Sequence, residues 1–268
     1  MRATGEVHLT RTLEIAASHS YVLDRLSPEE RIAAFGKSAA THSHGHNYEV
    51  RVTLAGPIDP RGDWVVNIKD LDRVMREVID DQLDHRHMNI EVAKLRDRWP
   101  TLEVLAPFIW EEMAPRLPVG RLHEVQIFET PDFYLDYRGE GQMVYLTRIY
   151  RFAAAHRLHN KNLSDEENRQ IFGKCNNLHG HGHDYILEVT VRGEPDPKTD
   201  CVIQVDRMDA VLKEQILEPF DHVYLNLDTE EFRDINPSAE NMAIVFWGIL
   251  EGRFAPAELH RLRLWETS

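Results

Sequence analysis

The chain has 268 residues, of which 42% are hydrophobic and 28% charged, enough for a packed core in each of two domains of ordinary size. A formal net charge of −14 argues against nucleic acid or an anionic membrane as partner, though not against an anionic small molecule held in a local basic pocket. No apolar run approaches a membrane span, MRATGEVHLTR lacks the apolar stretch of a signal peptide, and two cysteines, Cys175 and Cys201, make no disulfide framework, so a cytoplasmic protein is expected.

Residues 7–19 read as a strand in which Leu13, Ile15 and Ala17 share parity with His19, which places that imidazole on the apolar side. A polar loop centred on LSPEER is expected next. A second strand is expected over about 46–54, with Tyr48, Val50, Val52 and Leu54 on one face and His44 and His46 in line with them. Residues 69–82 carry an apolar stripe at helical spacing, Leu71, Val74, Met75, Val78 and Ile79, and end at Asp84-His85. Thr101 has the character of an N-cap for a second helix that buries Leu105, Phe108, Ile109 and Met113. Strands over 121–129 and 132–138 follow, the first carrying Glu129, and Gly139–Gly141 forms a linker.

The chain then repeats itself. His44 and His46 align with His181 and His183 at an offset of 137, and the same offset pairs His19 with His156, Asp84-His85 with Asp221-His222, and Glu129 with Glu266. A period of that length marks a duplicated domain, with boundaries at 1–139 and 142–268. Strands are expected near 144–156 and 183–192, helices near 206–217 and 238–251, and a last strand carrying Leu262 and Leu264. No counterpart of the fourth strand of repeat one is apparent. The order ββααβ(β) implies an α+β fold, an antiparallel sheet with helices on one face.

His156, His181 and His183 come from two neighbouring strands and share a face. Three neutral imidazoles with an open fourth position suit a catalytic zinc ion. The competing possibility, three histidines packed in a core, is weakened because His19, His44 and His46 repeat the set. Cys175 lies just before the HGH element; a thiol becomes reactive beside a cation or base, and otherwise behaves as a small buried apolar residue. Asp221-His222 could supply that base, an aspartate fixing a histidine tautomer, although taken alone a histidine complementing a helix C-terminus is the simpler account. Glu266, at a strand end, either grips a flat heterocycle through two parallel N–H bonds or is an exposed edge residue.

FAAAH, LSDEENRQIFGKCNNLHGHGHDY, FDHVYLN, SAEN and the closing WET together resemble the 6-pyruvoyl-tetrahydropterin synthase / 6-carboxytetrahydropterin synthase family. The resemblance runs through the whole of repeat two and more weakly through repeat one. It implies two tandem T-folds (ββααββ), subunits of the kind that close into stacked barrels, and hence a homo-oligomer, a trimer of two-domain chains. It also implies a zinc-dependent lyase acting on a small pterin triphosphate, 7,8-dihydroneopterin triphosphate, with release of triphosphate. By that likeness His156, His181 and His183 bind zinc, as do His19, His44 and His46 in repeat one. Cys175 is the proton-abstracting thiolate, Asp221 and His222 form a relay, and Glu266 anchors the pterin, with Glu129 as its counterpart. Repeat one has Ser38 in place of Cys175 and is expected to be catalytically silent.

The family's branches differ in the gap between the cysteine and HGH. HGH at His181–His183 leaves five residues after Cys175, as in the branch that makes 6-pyruvoyl-tetrahydropterin. HGH at His179–His181 would leave three, as in the 7-deazaguanine branch that makes the 6-carboxy product. Repeat one has Ser43 at the position of Gly180, so its sole HGH is His44–His46, which favours the longer gap. PTLEVLAPFIWEEM in repeat one looks more like the 7-deazaguanine branch, so the carboxy product remains the alternative. A non-catalytic zinc- or pterin-binding protein and a zinc hydrolase are alternatives of other classes, in both of which Cys175 would be dispensable.

Overall fold

The computed structural model describes residues 5–40, 42–60, 62–118 and 120–266. These form two compact units, 1–147 with 192–204, and 148–191 with 205–268. The units depart from the sequence repeats at two places, since 142–147 and 192–204 both belong to the first.

In the first unit, β1 (Val7–His19) and β2 (His44–Gly56) pair antiparallel, as do β2 with β3 (Arg121–Thr130) and β3 with β4 (Phe133–Tyr137). Alternation along β2 sends Tyr48, Val50, Val52 and Leu54 into the core, all fully buried. Against that face pack α2 (Ile68–Met75), extended through a π turn at Arg76–Asp80, and α3 (Leu102–Met113). Their buried residues, Leu71, Val74, Ile79, Leu105, Ile109 and Met113, are those of the expected apolar stripes.

The second unit repeats the plan. β6 (His181–Gly193) lies between β5 (Val144–His156) and β8 (Glu258–Trp265), and the short β7 (Val223–Tyr224) pairs parallel with β5. Tyr185, Leu187 and Val189 of β6 are buried with Met208 and Leu212 of α5 (Val205–Leu212) and Phe246 and Leu250 of α6 (Ala239–Leu250).

One expectation is corrected and one is refined. LSPEER is not a loop: Ser27 caps a helix, α1 (Pro28–Phe35), in a full capping box with Glu30, and Ser164 with Glu167 does the same for α4 (Asp165–Phe172). Thr101 is the N-cap of α3 as expected, but its hydroxyl makes no capping bond and donates to the carbonyl of Asp200, 3.0 Å away.

Candidate active site

The register of β1 on β2 builds the first histidine cluster. His19 lies directly opposite His44 and Ala17 opposite His46, so three imidazoles project from one face at the end of the pair. Gly45, between the two histidines, is needed for this close approach: a Cβ there would sit 2.7 Å from the Ala17 carbonyl oxygen. His19 and His44 bring their Nε2 atoms to 2.9 Å, and His156 and His181 bring theirs to 3.2 Å. In each unit the candidate ligand atoms of the three histidines lie within 4.8 Å of one another.

The chemistry of these clusters fits a metal ion. His156 Nδ1 donates to the Pro237 carbonyl at 2.7 Å, which leaves Nε2 with its lone pair directed at the other two rings. His19 is held in the same way by the carbonyl of Pro100. Burial holds His19 neutral, pulling its pKa down to about 3 with help from His44 and His46, and burial likewise lowers His44, His46 and His156. Neutral imidazole is the ligating form. His46 Nε2 is buried without a hydrogen-bond partner, an orphan that a metal ion would satisfy.

Glu266 lies at this cluster, with its carboxylate 3.1 Å from His156 Nε2 and 3.5 Å from His183 Nε2. Glu129 stands at the corresponding place, 3.7 Å from His46 Nε2. Both residues thus face the histidines and are not isolated edge residues. His179 is exposed and outside the cluster.

Cys175 occupies a 3₁₀ turn, Gly173–Asn176, directly after α4, and Ser38 occupies the same turn, Gly36–Ala39, after α1. Both side chains are partly buried. The turn is tied to the residues that follow His156: Leu158 N donates to the Cys175 carbonyl at 2.9 Å, and Arg157 donates to the carbonyl and side chain of Asn176. Ligand and thiol are thereby held by adjoining backbone.

The Asp221-His222 pair is formed, with His222 Nδ1 2.8 Å from the aspartate. Asp221 also accepts from Ala153 N, and His222 N donates to the Ala153 carbonyl, so the pair is latched to β5. The imidazole is 82% exposed and lines a concavity together with His183. His222 has φ +58°, and His85, bonded to Asp84 at 2.6 Å, has φ +54°. A left-handed backbone at a bulky residue in both units is a costly feature.

One pair of residues carries a role that sequence inspection left unassigned. Asn89 bridges the backbone N and O of Ser20, and Asn226 bridges those of Arg157, in each case the residue after a cluster histidine. Their match across the repeat was the available signal.

The family model for 6-pyruvoyl tetrahydropterin synthase matches residues 8–140 and again 145–268. A 6-pyruvoyl tetrahydrobiopterin synthase of Poecilia reticulata is 44% identical over 124 residues, which is 46% of this chain and 84% of that protein. The Homo sapiens protein of the same name is 41% identical over 122 residues, again 46% of this chain and 84% of that protein. The structure of Caenorhabditis elegans 6-pyruvoyl tetrahydropterin synthase covers 52% of this chain and all of that one, at 30% identity and a TM-score of 0.49. With both halves matched, the chain belongs to the 6-pyruvoyl tetrahydropterin synthase family as a tandem duplication of its α+β T-fold unit.

Proposed function

We propose that the chain is a zinc-dependent synthase that converts 7,8-dihydroneopterin triphosphate to 6-pyruvoyl-tetrahydropterin and triphosphate, with the second unit as its catalytic half. The observation that carries this is the convergent His156–His181–His183 cluster, held by the same turn-and-strand backbone that holds Cys175, in a chain whose two halves both match the family. His156, His181 and His183 would hold the metal, as would His19, His44 and His46. When bound, it supplies Lewis acidity toward the oxygens of the substrate side chain.

The remaining work falls to side chains. Cys175 as thiolate removes a proton from the side-chain carbon, and His222, its tautomer fixed by Asp221, carries protons between the side-chain positions. Triphosphate leaves as a stable anion. The pyruvoyl product differs from substrate by that elimination and an internal shift of hydrogen, so no external oxidant or reductant is consumed. Glu266 has its carboxylate at the cluster's edge, where it can accept paired N–H bonds from the pterin ring and so set the side chain beside the histidines. Glu129 offers the same contact in the first unit. We also propose a homo-oligomer, a trimer of chains, as the working state.

Mass analysis of products from 7,8-dihydroneopterin triphosphate tests the assignment. The expected products are 6-pyruvoyl-tetrahydropterin and triphosphate. Loss of a two-carbon fragment would assign the 6-carboxy reaction instead, and absence of turnover would leave a binding protein.

A further inference from the structure

The candidate site of the second unit draws on three separate segments: His156 ends β5, Cys175 sits in the Gly173–Asn176 turn, and Asp221-His222 directly precedes β7. Arg157, the residue after His156, bonds to both of the other segments. Its backbone is gripped by Asn226: Arg157 N donates to Asn226 Oδ1 at 2.8 Å, and Asn226 Nδ2 donates to the Arg157 carbonyl at 3.0 Å. Asn226 belongs to the helical turn Leu225–Asp228, which follows β7, and β7 itself pairs with Ala154 and Ala155 of β5. The side chain of Arg157 reaches the turn that carries the thiol. Its Nε donates to the Asn176 carbonyl at 3.1 Å and its Nη2 to Asn176 Oδ1 at 3.2 Å. Asn176 is only 9% exposed, and its side chain is spent on the same strap: Nδ2 donates to the Leu158 carbonyl at 2.7 Å. Cys175 joins through its backbone carbonyl, which accepts from Leu158 N at 2.9 Å.

The first unit keeps half of this arrangement. Asn89 grips the backbone of Ser20 as Asn226 grips that of Arg157. The fork, however, is gone, because Ser20 and Ala39 stand where Arg157 and Asn176 stand 137 residues later. Among the described residues, no hydrogen bond joins Ser38 or Ala39 to residues 20–22. Tyr21, at the position of Leu158, is buried and packs on Phe35 with ring centroids 4.4 Å apart. The backbone clamp is therefore common to both units, whereas the guanidinium fork accompanies Cys175 and is missing beside Ser38. A brace required by the fold alone would serve both turns equally.

We infer that Arg157 is a positioning residue for Cys175. Its fork sets the Gly173–Asn176 turn against the end of β5, and the Asn226 clamp refers both to the segment that carries Asp221-His222. This role rests on the reading of Cys175 as the proton-abstracting thiolate. Arg157 acts through geometry and not through charge. A guanidinium is planar and presents its N–H groups in a fixed fork, which suits the two oxygens of Asn176 held side by side. A lysine ammonium keeps the charge but is a single rotating donor group on a flexible stem, so it does not reproduce that grip. Displacement of a reacting group by roughly 1 Å is enough to lower a rate about 10²-fold.

Full-length Arg157→Lys and Arg157→Ala variants are compared with the native chain in two measurements. One is steady-state turnover of 7,8-dihydroneopterin triphosphate. The other is the rate at which iodoacetamide alkylates Cys175, followed by peptide mass analysis so that Cys201 is counted apart. Both variants are expected to lose about 10²-fold in kcat with KM nearly unchanged. Alkylation is expected to be several-fold faster in both, because a turn released from Arg157 uncovers a thiol that is partly buried. Full turnover by Arg157→Lys would make charge the requirement and overturns the inference. A raised KM at native kcat would make Arg157 a substrate contact and also overturns it. So does an alkylation rate no faster than native in either variant. If the native chain leaves the substrate unchanged, the reading of Cys175 as base fails, and the alkylation rates still decide whether Arg157 places this turn.

Discussion

Cys175 and Ser38 sit in equivalent turns, each directly after a capped helix, so these two side chains differ by sulfur against oxygen. A thiol with an ordinary pKa of roughly 8.5 ionises readily beside a cation, whereas a serine hydroxyl does not. Cys175→Ser is therefore expected to lower turnover by about 10²–10⁴-fold, the range a general base contributes, with the fold and metal content intact. Retention of half the activity would assign the proton to another base. At this scale the sequence was most legible where residues lie close along the chain. The HGH elements marked His44, His46, His181 and His183, and strand parity with an exact repeat behind it added His19 and His156 as candidate ligands. The approach of Glu266 to His156 was not legible, because it depends on how β8 and β5 meet around β6 and not on any local pattern.

Among elements, the two long strands and the striped helices could be read from alternation and 3.6-residue spacing, because each buries one continuous apolar face. The short helices α1 and α4 could not. Each buries a single residue, Ala34 or Asn168, so neither has a stripe, and their signal lay wholly in the Ser-x-x-Glu capping boxes. Ser164→Ala is expected to cost about 1 kcal/mol in denaturant unfolding. Thr101 caps α3 by position and not through its hydroxyl, which is engaged by a distant turn. That turn also sets a pH dependence. Burial raises Glu103 from its ordinary 4.5 to about 7, a shift that the Val202 N bond opposes and the nearby Asp200 charge reinforces. Below pH 4.5 the carboxyl is protonated folded or unfolded and costs nothing. Between 4.5 and 7 the folded chain binds the extra proton, so stability is lost as pH rises through that window. Glu103→Gln keeps the acceptor for Val202 N and removes the charge. It is expected to flatten the profile and to be more stable than wild type at pH 8 by on the order of 2 kcal/mol, measured from denaturant midpoints at pH 5, 6, 7 and 8. Parallel profiles for the two proteins would show that Glu103 does not titrate across folding.

At the scale of the whole molecule, duplication has copied the histidine cluster and not the thiol. Both histidine clusters keep three convergent rings, burial lowers the pKa of the strand-end histidine in each, His19 and His156, and both have a carboxylate at their edge. Two metal ions per chain are therefore expected, but a single catalytic base. The two sites can be separated by parallel substitutions. His181→Ala and His44→Ala each remove one ligand of three from a partly exposed position, so each is expected to leave one tightly held metal per chain by elemental analysis of dialysed protein. Their effects on turnover should diverge. His181→Ala empties the site beside Cys175 and is expected to abolish the reaction. His44→Ala empties the site beside Ser38 and is expected to leave turnover within twofold of wild type, since no proton is abstracted there. The first unit would then serve as scaffold, its metal bracing the end of the β1–β2 pair, and the loss should appear as a lower melting temperature and not as lost catalysis. If His44→Ala abolished turnover while the second site kept its metal, the first unit would contribute directly to the chemistry and the division between the two halves would be wrong.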